Sequence, residues 1–250
     1  MENSSKPNEL VARKSLPIQL YKAIKYIFSQ NISDCVLVGG TALSGFYAGH
    51  RRSDDIDLFV KNEDAFKQVC QAVKSMDKIG AVINKKAQSN QYYKAVVEYE
   101  THVFTVDIVI DENLFKVGSF HKLDNVVIAN LTTILMMKCA TLVSRCSEKD
   151  LYDLMWFFEY VDKIDISKII ELGKKVDGGF DAETVLYSIS SSVLSETSCS
   201  FSLKKTMTAK KVFKLISKFK NTLEKEFDLY LSNNTKSDLK ELLHQIKKLS

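Results

Sequence analysis

Residues 36–59 read VLVGGTALSGFYAGHRRSDDIDLF, and the reading of the fold starts there. The apolar run 35–38 ends in Gly39-Gly40, the pattern of a buried strand followed by a tight turn. Residues 41–49 read as a short helix, and 53–55 lead into a second strand over 56–60. Alternate residues of a strand share a face, so Asp55 and Asp57 point the same way, about 7 Å apart, with Ile56 buried opposite. Two carboxylates so placed repel one another and suit a hard cation that takes oxygen ligands, such as Mg²⁺. Gly39 and Gly40 let the backbone approach a ligand closely, and the helix start behind them favours an anion. One wall for phosphate therefore stands beside one wall for metal.

Working outward, residues 17–30 show helical spacing of apolar residues, and 63–76 predict a helix on the outside of a sheet. Strands are expected over 80–84, 91–99 and 102–110, with a hairpin near Glu100-Thr101. The last strand, HVFTVDIVI, carries Asp107 between Val106 and Ile108. A lone ionised aspartate in an apolar strand is costly to bury unpaired, so it calls for a metal or for a cation such as Arg51 or Arg52. Asp111 sits at the strand end, where water reaches it more easily, so Asp107 is the preferred third carboxylate. After residue 125 strand-like alternation stops, and helices are expected over 130–146, 149–161, 165–176, 182–195, 209–231 and 236–249. The fold class is thus α/β (α+β), a mixed β-sheet domain over 1–163 followed by an all-helical bundle over 164–250. Within 136–154, Lys138 and Arg145 are seven apart and share one helix face, as do Asp150 and Asp153, three apart. Leu151, Leu154 and Phe158 form the buried stripe beside them. Lys138 can then reach a phosphate as a point charge while Asp150 orients it or a metal.

Composition removes other classes. With 250 residues, 45% hydrophobic and 26% charged, the chain is neither disordered nor fibrous. No apolar run approaches the roughly 18 residues of a membrane span, and residues 1–10 lack the apolar core of a signal peptide, so a cytoplasmic protein with no membrane partner is expected. Five cysteines, an odd number without a CxxC, argue against a disulfide scaffold and a zinc ribbon; the four histidines lack metal-ligand spacing. Residues 201–250 hold twelve lysines against five acids, concentrated in LKKTMTAKKVFKLISKFK at 203–220. That stretch reads either as a solvated helix face or as a surface for RNA.

The string GGTALSGFYAGHRRSDDIDLF resembles the GG[S/T]…DxD signature of the polymerase-β-like nucleotidyltransferase superfamily, and within it the AbiEii/AbiGii-type family of toxin–antitoxin and abortive-infection systems. VFTVDIVI is similar to the strand that bears the third acidic residue there, and MMKCATLVSRCSEKDLYDL to a helical block in which a Lys and an Arg precede a KDxxDL element. The resemblance covers about residues 20–161. It implies that Gly39, Gly40 and Thr41 hold the triphosphate of an NTP; by the residues alone, Arg51 and Arg52 neutralise phosphate or clamp Asp54, and Arg52 is taken as the further nucleotide contact. It implies that Asp55, Asp57 and Asp107 bind two Mg²⁺ ions and that Lys138 and Asp150 are an additional essential pair. It also implies an acceptor that is RNA, at a tRNA 3′ end, or protein, and a cognate antitoxin as partner. A small-molecule nucleotidyltransferase of the antibiotic-modifying kind and an inactive nucleotide-binding module are the competing readings.

Overall fold

The structure, a computed structural model, describes residues 6–233 and 237–248. The chain divides into two compact units, residues 1–134 and 135–250. The boundary expected at 163/164 falls instead just past a helix inside the second unit. The reason is packing: the helix over Glu148–Tyr160 buries its apolar face against later helices of its own unit.

The first unit opens with helices α1 (Glu9–Ser15) and α2 (Ile18–Ser29), which precede strand β1 (Cys35–Val38). The glycine pair then starts a one-turn helix, α3 (Gly39–Leu43), which runs on as a π-turn over Ser44–Ala48. Strand β2 (Asp55–Val60) and helix α4 (Glu63–Lys74) follow, then β3 (Ala81–Gln88), β4 (Tyr92–Tyr99) and β5 (His102–Ile110). The β4–β5 hairpin turns at Glu100-Thr101, with Glu100 at φ 53°. A short helix α5 (Glu112–Val117) leads to β6 (Phe120–Leu123) and β7 (Val126–Ala129). The sheet order is β3-β4-β5-β2-β1-β7-β6, with β2/β5 and β1/β7 parallel and the other neighbours antiparallel.

The β6–β7 hairpin corrects the expectation that strands end before residue 125. Four-residue strands are too short to show a period of two. Their signal lies in the two-residue turn Asp124-Asn125, where Asp124 takes φ 51°, as primed hairpin turns require. The sheet buries one face: Ile56, Leu58 and Val60, then Val106 and Ile108, then Ala95 and Val97 are each 0% exposed. α2 and α4 cover this sheet with Leu20, Ile24, Phe66 and Val69.

Helix α6 (Leu131–Ser144) begins at the end of the first unit, and among the described residues the second unit holds helices and no strand. These are α7 (Glu148–Tyr160), α8 (Ile166–Val176), α9 (Ala182–Ser191), α10 (Ala209–Asn233) and α11 (Leu239–Lys248). The helix expected over 236–249 has its end residues outside the described ones. α10 is the spine of the unit: Val212, Ile216, Leu223 and Phe227 are fully buried, and α7, α9 and α11 pack on it. No described helix is long and apolar enough to cross a membrane.

Candidate active site

The sheet face opposite α2 and α4 carries the carboxylates. Asp57 in β2 stands in register beside Asp107 in β5, and Asp55 beside Thr105. All three aspartates are half-buried, while their apolar neighbours in the strands point into the core. Parallel pairing thus turns two distant stretches of sequence into one row, with strands about 4.8 Å apart. Asp55 Oδ1 accepts a hydrogen bond from the Thr105 hydroxyl at 2.6 Å. Asp107 accepts from the Tyr92 hydroxyl at 2.5 Å and pairs with Lys94 Nζ at 3.0 Å. Its cationic partner is therefore Lys94, on the neighbouring strand, rather than Arg51 or Arg52. Burial and the bond to Asp107 raise the Tyr92 pKa, and the separate bond of Lys94 to Asp107 raises the Lys94 pKa against a smaller opposing effect of burial. Asp111 has a different role and caps α5, its carboxylate accepting from the Leu114 amide at 2.8 Å.

The glycine turn lies directly beside this row. Gly39 has φ +68°, and the Asp57 carboxylate occupies the place where a Cβ on Gly39 would stand. Both facts demand glycine. A Cβ on Gly40 would collide with the guanidinium of Arg51, a side chain only 2% exposed. Thr41 is buried and donates its hydroxyl to the Asp55 carbonyl, so it ties the turn to the start of β2. Arg51 is packed under the turn, whereas Arg52 is exposed.

The donor set fits a hard divalent ion: three carboxylates, all oxygen ligands, on one face of two paired strands. Among the described residues, no three His, Cys, Asp or Glu side chains close on a single point. Both Asp107 oxygens are engaged from β4, by Lys94 and Tyr92.

The second unit holds a different set of charges. Lys138 Nζ lies 2.8 Å from both Asp150 and Asp153, with side-chain exposures of 4%, 0% and 0%. Arg145 approaches Asp150 from the more exposed side, at 2.7 Å. Ser147, the N-cap of α7, donates to Asp150 at 2.6 Å. Burial by itself would raise the Asp150 pKa, but the Lys138 and Arg145 charges outweigh it and hold the carboxyl well below the usual carboxylate range. Spacing pairs Lys138 with Arg145 and Asp150 with Asp153; the contacts between the two pairs and their depth come from the fold. The contacts of Lys94 and Tyr92 with Asp107 escaped sequence reasoning, although the hairpin expected at Glu100-Thr101 carries the signal, since that turn sets Lys94 opposite Asp107.

The family described as "Nucleotidyl transferase AbiEii toxin, Type IV TA system" matches residues 25–231, about four-fifths of the chain. The chain belongs to this family. It is accordingly a nucleotidyltransferase of the type IV toxin–antitoxin class. The fold agrees with that of MenT4, a nucleotidyltransferase toxin from Mycobacterium tuberculosis H37Rv, at TM-score 0.57 and 16% identity, over 92% of this chain and 89% of that one. JHP933 from Helicobacter pylori is also similar, at TM-score 0.46 and 16% identity, over 85% of this chain and 93% of that one. No curated protein matches the sequence. In this AbiEii-family enzyme the glycine turn and the aspartates occupy one end of a single sheet, whereas the Lys138 cluster lies in the helical unit.

Proposed function

We propose that this enzyme transfers a nucleotidyl group from an NTP to RNA, at a tRNA 3′ end, in the cytoplasm. The observation that carries the reading is the row formed by Asp57 and Asp107, with Asp55 one pleat away and the Gly39-Gly40 turn against it. Asp55, Asp57 and Asp107 would hold two Mg²⁺ ions, which supply charge neutralisation for the triphosphate and a lowered pKa for the acceptor hydroxyl. The Gly39–Thr41 backbone offers its amides to the phosphates, and exposed Arg52 can swing onto them as a bidentate donor. Thr41 contributes by fixing the turn to β2. Catalysis is then largely positioning and electrostatics. Lys138 and Asp150 serve as a positioning pair that fixes α6 against α7, since both ends of the bridge are buried. A cognate antitoxin is the protein partner that family membership supports.

RNA is favoured as acceptor by the helical unit. Lys204, Lys205, Lys210, Lys211 and Lys214 are carried along one stretch of chain, a field that attracts polyanions. A cationic antibiotic would call for an acidic cleft instead. Incubation with each labelled NTP, Mg²⁺ and total RNA tests the proposal. Label on tRNA supports it. Label on protein moves the acceptor class. No label with any NTP overturns the RNA reading and leaves the small-molecule enzyme and the inactive binding module.

A further inference from the structure

The carboxylate face contains a cation of its own. Across β4, β5 and β2, one row of the sheet reads Lys94, Asp107, Asp57. Lys94 Nζ lies 3.0 Å from one oxygen of Asp107 and 3.2 Å from the other. The Tyr92 hydroxyl binds the second of these as well, at 2.5 Å. Both Asp107 oxygens are thus engaged from the β4 side. The lysine is the more exposed partner, 39% against 18% for Asp107. A divalent cation shared between Asp57 and Asp107 would need oxygens that an ammonium already holds, and two cations on one carboxylate repel.

We propose that Lys94 is an internal counter-cation for Asp107, which neutralises the carboxylate while no metal is bound and must be displaced for a divalent cation to bind. The inference rests on the metal reading of this face given above. Lysine suits this role because its ammonium is a compact charge on a flexible stem and lets go more readily than a bidentate guanidinium. Without such a charge, three carboxylates on one face would repel one another in the metal-free protein. Lys94 therefore acts through Asp107, as a positioning residue that sets how tightly the site takes its cation.

Calorimetric titration of the full chain with Mn²⁺ alone, combined with thermal denaturation with and without Mn²⁺, provides the test. Lys94→Met is expected to tighten Mn²⁺ binding by about tenfold, the worth of one charge-assisted hydrogen bond removed from the competition. The Mn²⁺-induced rise in Tm should grow with it. Lys94→Arg keeps a competing cation and should bind no tighter than wild type. In an Asp107→Asn background the Lys94→Met change should have no effect on Mn²⁺ affinity. Tyr92→Phe keeps the ring, removes one competing donor and should tighten binding by about threefold, which preserves the test if Lys94→Met does not fold. Wild type and folded Lys94→Met binding Mn²⁺ equally would overturn the role of Lys94 alone. Folded wild type and folded Lys94→Met that both fail to bind Mn²⁺ would overturn the metal reading and this inference together.

Discussion

Asp57 and Asp107 on the sheet and Asp150 and Asp153 in the helical unit are the same chemical group in opposite settings. The sheet aspartates are half-buried and stand in a row set by strand register, with a partly exposed lysine on Asp107. The helical pair is fully buried and clamped by Lys138, with Arg145 and Ser147 completing the set. Carboxylates that water still reaches can exchange their partners for an arriving ligand. Carboxylates in a dry core cannot, because losing a partner there costs several kcal/mol. On the function proposed above, the first setting is binding machinery and the second is framework, with Lys138 holding Asp150 and Asp153 in place of the phosphate contact expected from the sequence.

The comparison breaks if substitutions in the two places behave alike. Asp57→Asn keeps the size and removes a hard anionic ligand. It should cut nucleotidyl transfer by about a thousandfold or more while leaving Tm within a few degrees; Asp55→Asn should do likewise. Wild-type turnover in either variant would refute the assignment of that face. Lys138→Met should do the reverse and cost about 3–5 kcal/mol of stability by removing the cation shared by two buried carboxylates. Replacing Lys138, Asp150 and Asp153 together by Met, Leu and Leu should cost much less, because no charge is left behind. If the single variant unfolds at the wild-type urea concentration, the cluster is not a framework.

Acid titration sharpens the contrast. The folded-state pKa of Asp150 lies below its unfolded value of about 3.9, so its pairing stabilises the protein above that value. That contribution is lost as pH falls below about 4 towards the folded-state pKa. Asp150→Asn should therefore flatten the fall of Tm with acidity below about pH 4, and an unchanged slope would detach Asp150 from the acid limb. Gly39→Ala must adopt the left-handed region and push on Asp57. It should cost about 1–2 kcal/mol of stability and lower activity in step, as a check on how closely the turn and the row are coupled.

The smallest expected effect concerns the lysines. Lys211, Lys214 and Lys218 changed together to Gln should leave NTP affinity nearly unchanged, weaken RNA binding, and flatten its salt dependence by about one unit for each phosphate no longer neutralised. Equal slopes for the variant and wild type at two salt concentrations would make α10 a solvated face only.

Much of this organisation could be read from residues in order. The Gly-Gly turn, the alternation that puts Asp55 and Asp57 on one face, and the helices of the second half all rest on local spacing, which a linear sequence displays. So do the pairs Lys138/Arg145 and Asp150/Asp153, seven and three residues apart, whereas the meeting of the two pairs belongs to the fold. The short β6 and β7 strands and the unit boundary at 134/135 were not legible. Four residues carry too little periodicity, and a boundary depends on which helices share a core. The sequence by itself determined which residues could form a charged face; the tertiary structure alone decided what stands across from each of them. Asp107 meets Asp57 on one side and Lys94 on the other because β2, β5 and β4 are neighbours in that register. The β2–β5 pairing is a property of the folded sheet, where a one-residue slip would turn these side chains to the opposite face, whereas Lys94 faces Asp107 across the hairpin whose turn at Glu100-Thr101 sets that register.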